Sequence, residues 1–249
     1  MKIVEFGKEN EKVVIFLHGG GLSWWNYRKV AEHLKDYYHI VIPVLDGHSG
    51  SDRDFTSIED QAKEIIEHID KVYNGEVELI GGLSLGGQVL VEILRQRGNI
   101  CRYAIIESAL VIPMKVTNLL IRPMLDMSYW MIRKRWFARL QFCYLKLPDS
   151  LFDEYYEDTC KITKENMITI LKANSSYCLK NGVENIKAKT YIFVGGKESY
   201  KMRASARKLN CEIPDSELEM KDKWWHGCFS LNHFADYVCK VKSILGDFS

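Results

Sequence analysis

Apolar positions along the chain fall into two alternating rhythms. Val13 to Leu17 is an unbroken run of apolar residues, the pattern of a strand buried on both faces of a parallel sheet. Ile40 to Leu45 is a second such run, although Pro43 argues against a central ladder position at that residue. Glu76 to Ile80, Tyr103 to Ile106 and Tyr191 to Val194 give three more strands, and Lys2 to Phe6 reads as a short edge strand, antiparallel to the rest. Between the runs, Tyr27, Val30, Ala31 and Leu34 recur at helical spacing, as do Ile58, Ala62, Ile65, Ile69, Val72 and Tyr73. Ser57 is the expected N-cap of the second helix and Gly75 its stop. Strands alternating with helices require crossovers, so the sheet is mostly parallel and covered by helices on both faces.

From about residue 110 to 188 the rhythm breaks. Strand runs vanish, and Met, Trp, Tyr and Arg gather on helix-like stretches that Pro113, Pro123 and Pro148 divide into three or four helices. The organisation expected is one α/β core, residues 1–109 and 189–249, with a helical insertion at 110–188.

The 249 residues suffice for one such domain, and 47% hydrophobic content supplies its core. A formal charge of +1 offers no global field for nucleic acid or an anionic membrane. The 7 cysteines are scattered, with no CxxC pair and no metal-ligand spacing, and read as reduced thiols. Met1 to Lys12 is charged and lacks the apolar segment of a signal peptide, and no run approaches membrane-spanning length. A cytoplasmic chain is expected, with no metal, no organic cofactor and no membrane insertion; a homodimer is left open.

Gly82-Leu83-Ser84-Leu85-Gly86 is a GxSxG motif placed between a strand and the helix-like segment Gln88 to Arg97. That context is a nucleophile elbow, a tight turn that raises a serine hydroxyl above the sheet. His18-Gly19-Gly20-Gly21 follows the first buried strand, where a backbone amide can face developing negative charge. The amides of Gly20 and Leu85 are the expected oxyanion hole. A dinucleotide loop is the rival, but Trp24 stands where its third glycine belongs.

A serine hydroxyl needs a histidine to take its proton and a carboxylate to orient that histidine. With the order serine, acid, histidine, five histidines drop out because they precede Ser84. His226, in a loop beside Gly227, is preferred over His233, which is expected inside the last helix. Glu198, just past the strand Tyr191 to Val194, is the leading acid; Glu107, Asp215 and Asp222 remain alternatives.

These motifs, together with Leu45-Asp46-Gly47-His48-Ser49-Gly50, resemble the α/β-hydrolase superfamily, in particular capped esterases and lipases of the monoacylglycerol-lipase or C–C hydrolase type. The resemblance implies an α/β-hydrolase fold with a helical cap inserted after the sixth strand. It also implies a Ser84, Glu198, His226 triad, with glutamate where the family usually has aspartate. The activity implied is cleavage of a small to medium carboxylic ester through an acyl-enzyme. An acyltransferase, a haloperoxidase-like enzyme on the same triad and a non-catalytic binding protein are the alternatives. Trp24, Trp130 and Trp225 are the expected pocket walls. Arg122, Arg133, Lys134, Arg135 and Arg139 are read as a solvated helix face.

Overall fold

The protein, described by a computed structural model over residues 1–246, is built on one sheet of seven strands: β1 (Ile3–Phe6), β2 (Val13–Leu17), β3 (His39–Pro43), β4 (Val77–Leu83), β5 (Cys101–Glu107), β6 (Lys189–Gly195) and β7 (Ser216–Lys221). Their order is β1-β3-β2-β4-β5-β6-β7. Only β1 runs antiparallel, pairing Ile3 with Pro43 and Phe6 with Ile40 along β3. Pro43 is thus the last residue of its strand.

Helices α1 (Arg28–Leu34), α2 (Ile58–Val72), α3 (Leu85–Gln96), α8 (Tyr200–Glu212), α9 (Cys228–Asn232) and α10 (Phe234–Leu245) cover the sheet, and α4 (Lys115–Ile132), α5 (Arg135–Leu145), α6 (Phe152–Lys161) and α7 (Lys164–Ser176) form the excursion between β5 and β6. Two buried clusters fill the two faces. Ile15, Val41, Ile80 and Ile106 meet α2 and α3 on one side, while Phe16, Ile40, Leu79 and Ile105 meet α1 and α10 on the other. Successive strand residues point to opposite faces, so continuous apolar runs feed both clusters. Ser57 caps α2, its hydroxyl accepting from the Asp60 amide at 3.0 Å.

Four expectations change. The excursion leaves after the fifth strand of this chain, not the sixth, because a single antiparallel strand precedes the parallel run. Pro123 does not divide a helix but lies inside α4, whose 18 residues continue through it. Its cost is one missing intrahelical hydrogen bond and local crowding. The last helix is in fact two, α9 and α10, which meet at His233. Strand β4 also extends through Gly81 and Gly82 to Leu83.

The excursion is tied to the core by polar contacts distant in sequence. Trp25 Nε1 donates to Asp158 Oδ2 at 2.9 Å, Arg28 forms a two-pronged pair with Glu154, and the Phe55 amide donates to Asn166 Oδ1 at 3.0 Å. No helix among the described residues is long and apolar enough to cross a membrane.

Candidate active site

Strand β4 ends at Leu83 and α3 begins at Leu85, so Ser84 alone makes the turn, with φ 53° and ψ −110°. A non-glycine residue holds such a conformation only when its surroundings impose it. Here the Ser84 amide donates to the Glu107 carbonyl at 2.8 Å, and a Cβ on Gly86 would overlap the Leu17 carbonyl. Glycine at 86 therefore lets α3 start against the end of β2.

The loop after β2 is held amide by amide. The Gly19 N–H donates to Asn26 Oδ1 at 3.1 Å and the Gly21 N–H to His48 Nε2 at 3.1 Å, while the Leu22 N–H reaches the Gly19 carbonyl. The amides of Gly20 and Leu85 have no partner among the described residues. Burial pushes His18 down to about 3, so it is neutral; its Nε2 accepts from the Leu45 amide and its Nδ1 donates to the Gly19 carbonyl. His48, also lowered by burial, donates through Nδ1 to the Asp46 carbonyl, leaving Nε2 to accept from Gly21. Both imidazoles thus brace the loop. His48 has no role in the sequence reading beyond its loop motif, and nothing in that motif names its partner.

Past β6, Glu198 is buried while its Oε2 lies 2.7 Å from His226 Nδ1. Its other oxygen accepts from Ser108 Oγ at 2.8 Å and from the Gly195 amide at 2.7 Å. Burial alone would raise this carboxyl, but His226, Gly195 and Ser108 hold it below the usual range. Burial would likewise lower His226, yet the hydrogen bond and charge of Glu198, with Glu107 beyond, raise it above the ordinary imidazole value. Ser108 is a second serine at positive φ, 53°, and gave no signal in the sequence.

Glu107 faces elsewhere. It accepts from the amides of Phe229 and Ser230, and burial raises it to about 7. The carboxylate that meets His226 is Glu198. Asp215 and Asp222 contribute no side-chain hydrogen bond to His226, whose ring has Glu198 as its partner. His233, between α9 and α10, stacks on Trp224 at 4.6 Å between ring centroids.

The His226 loop closes on the elbow through Leu83, whose side chain lies 3.4 Å from where a Cβ would stand on either Gly19 or Gly227. Ser84 opens into a cavity of about 260 Å³ lined also by Gly20, Leu145, Tyr155 and Thr159. His226 opens into a neighbouring one of about 410 Å³ with Glu198, Trp225 and Lys146. Leu145 borders both. Ser84 Oγ and His226 Nε2 are not hydrogen-bonded to each other, and both remain without a protein partner among the described residues.

Of the three tryptophans expected at the walls, Trp225 lines the cavity of His226, and the Ser84 cavity is lined by none of them. Trp24 packs on Phe6 and under Arg28, and Trp130, 61% exposed, lies on the outer face of α4 with its Nε1 donating to Met127. Helical phase turns the former to the strand edge and the latter to solvent. Arg122, Arg135 and Arg139 pair with Glu165, Asp153 and Asp149 on the surface.

A family model described as alpha/beta hydrolase family matches residues 14–218. Among solved structures, the chain is similar to an alpha/beta hydrolase family protein from Desulfitobacterium hafniense, at 22% identity and TM-score 0.80 over 98% of this chain and 100% of that one. An esterase from Exiguobacterium antarcticum matches at 18% identity and TM-score 0.81, over 97% and 93%. A bromoperoxidase from Bacillus anthracis matches at 13% and 0.80, over 98% and 95%. At these identities the likeness is one of fold. No curated protein matches the sequence.

Proposed function

Because the chain belongs to the alpha/beta hydrolase family, we propose that it is a serine hydrolase of small to medium carboxylic esters, with Ser84 as nucleophile, His226 as base and Glu198 as the acid behind it. The observation that carries this reading is the 2.7 Å contact of His226 Nδ1 with Glu198. It fixes the tautomer and leaves Nε2 as the acceptor, in the loop packed against the elbow.

The ester carbonyl sits above Ser84 with its oxygen toward the amides of Gly20 and Leu85. Ser84 Oγ bonds to the carbonyl carbon while its proton passes to His226 Nε2, and the oxyanion takes up the two N–H groups. The intermediate collapses, the bond from carbon to the alkoxide oxygen breaks, and Nε2 returns the proton to the departing alcohol. Water then repeats the sequence: its proton goes to Nε2, its oxygen to the carbonyl carbon, and Ser84 leaves with the proton restored. The acid is released.

Support for the division of space comes from the two cavities. The departing alcohol takes its proton from His226, so it belongs on that side, and the acyl chain belongs in the cavity of Gly20 and Ser84. At about 260 Å³ that cavity is at the small end of ligand pockets, which favours short acyl chains. Hydrolysis of nitrophenyl esters from acetate to decanoate tests the reading: turnover is expected to peak at short or medium length and to vanish in Ser84→Ala. A Ser84→Ala variant as active as the parent overturns it. Product analysis with added alcohol separates hydrolysis from acyl transfer.

A further inference from the structure

Exposed large apolar side chains gather on the excursion; among the described residues only Tyr37, Val72 and Tyr200 lie outside it. On α4 they form a row. Val116, Leu119, Leu120, Met127 and Trp130 are all more than half exposed and, at helical spacing, fall within an arc of about 100°. The opposite side of the same helix carries Ile121, Leu125 and Ile132, which are buried with Ile168 of α7. A helix apolar on opposite faces is expected to be covered on both, and this one is covered on one. Single exposed apolar residues are ordinary, but a contiguous patch marks a surface that binds.

The charge around the row says what it binds. Residues 115–146 carry seven Lys and Arg and a single acid, Asp126, an excess that the overall charge of +1 hides. Arg122, Arg135 and Arg139 have acidic partners. Lys115 at the start of α4, and Arg133 and Lys134 just past its end, are exposed and make no ion pair among the described residues. Both ends of the row are therefore cationic. Two copies meeting through this face would set cation against cation in either direction. An anionic bilayer instead offers headgroups to the ends and acyl chains to the row. Trp130 suits that boundary, with an apolar ring and a polar N–H. We infer that the excursion docks through the outer face of α4 on a bilayer containing anionic lipid, the helix lying in the plane of the interface. Gln141 and Leu145 of α5 line the Ser84 cavity and also an outer groove with the exposed Leu140 and Tyr144, so apolar surface reaches from the exterior of the excursion to Ser84.

The test is co-sedimentation of the purified chain with vesicles of phosphatidylcholine alone or mixed equally with phosphatidylglycerol. The parent should bind the mixed vesicles about tenfold more tightly than the neutral ones and be released when salt rises from about 0.05 M to about 0.5 M. Leu119→Ser/Met127→Ser and Arg133→Glu/Lys134→Glu should each weaken binding about tenfold while melting within a few degrees of the parent. Ser84→Ala should bind as the parent does, which keeps this inference separate from the chemistry at Ser84. The lipid and salt dependence of the parent decides the matter even if a variant fails to fold. A parent that stays in the supernatant, equal binding to the two vesicles, or binding unchanged in both folded double variants overturns the inference. A parent dimer in sedimentation velocity that Leu119→Ser/Met127→Ser splits, with no vesicle binding, overturns it in favour of a second copy on this face.

Discussion

Glu198 and His226 meet at 2.7 Å, carboxylate oxygen to Nδ1, across 28 residues of chain. The contact raises the imidazole above its ordinary value against the partial desolvation that would lower it. A base acts only when unprotonated, so kcat/KM for a neutral ester should fall with decreasing pH through that raised value. In Glu198→Gln the limb should move to lower pH and kcat should drop about 1000 to 10000-fold. A pH profile from 5 to 9 on both proteins checks this; an acidic limb at unchanged pH contradicts it.

Glu107 offers the opposite case. Its folded-state value of about 7 lies above its ordinary 4.5, so the fold prefers the protonated form. Its stabilising contribution is complete below the ordinary value and is lost as pH rises through 7, by an amount on the order of a few kcal/mol. Glu107→Gln should therefore gain in Tm relative to the parent between pH 5 and 8.5, and should lose no more than about tenfold in activity. Parallel Tm curves would show that the carboxyl is not displaced by the fold.

These two glutamates show where sequence reading stops. Both stand at or beyond a strand end, and position along the chain favours Glu198 without excluding Glu107. Glu107 pairs in register with Phe193 inside the sheet, while Glu198 lies three residues past β6 and is free to turn toward the loop of His226. The strands and the Ser84 turn were legible because period and turn chemistry are local. Pro123 misled because packing keeps α4 intact through it. His233 misled because the break between α9 and α10 leaves no mark in the apolar spacing. Trp24 and Trp130 misled because proximity along the chain says nothing about which way a side chain faces. The bracing of the glycine loop by His48, and Thr159 at the pocket wall, arise from contacts no local pattern encodes.

Two glycine positions, Gly20 in the loop after β2 and Gly86 in the first turn of α3, should respond differently. A Cβ at Gly86 would overlap the Leu17 carbonyl, whereas one at Gly20 would meet Leu85 Cβ at an ordinary 3.5 Å. Gly86→Ala should yield little folded protein, and Gly20→Ala should melt within a few degrees of the parent. Circular dichroism melts read both; similar behaviour of the two variants contradicts the close approach.

His48→Ala removes the acceptor of the Gly21 amide. The loop carrying Gly20 should loosen, lowering kcat by about tenfold with little change in KM, and stability should fall by about 1 to 3 kcal/mol. Steady-state kinetics and urea titration measure the two effects. A change confined to KM would mean that His48 bears on substrate binding instead of on the loop.

The central claim, that Ser84 is a hydroxyl activated by His226, is tested most directly by intact-protein mass after exposure to a fluorophosphonate. A single adduct mapped to the peptide of Ser84 is predicted for the parent, none for Ser84→Ala, and labelling slowed by at least about 100-fold for His226→Ala. A parent that gains no mass, or a Ser84→Ala protein that labels as fast as the parent, contradicts the account.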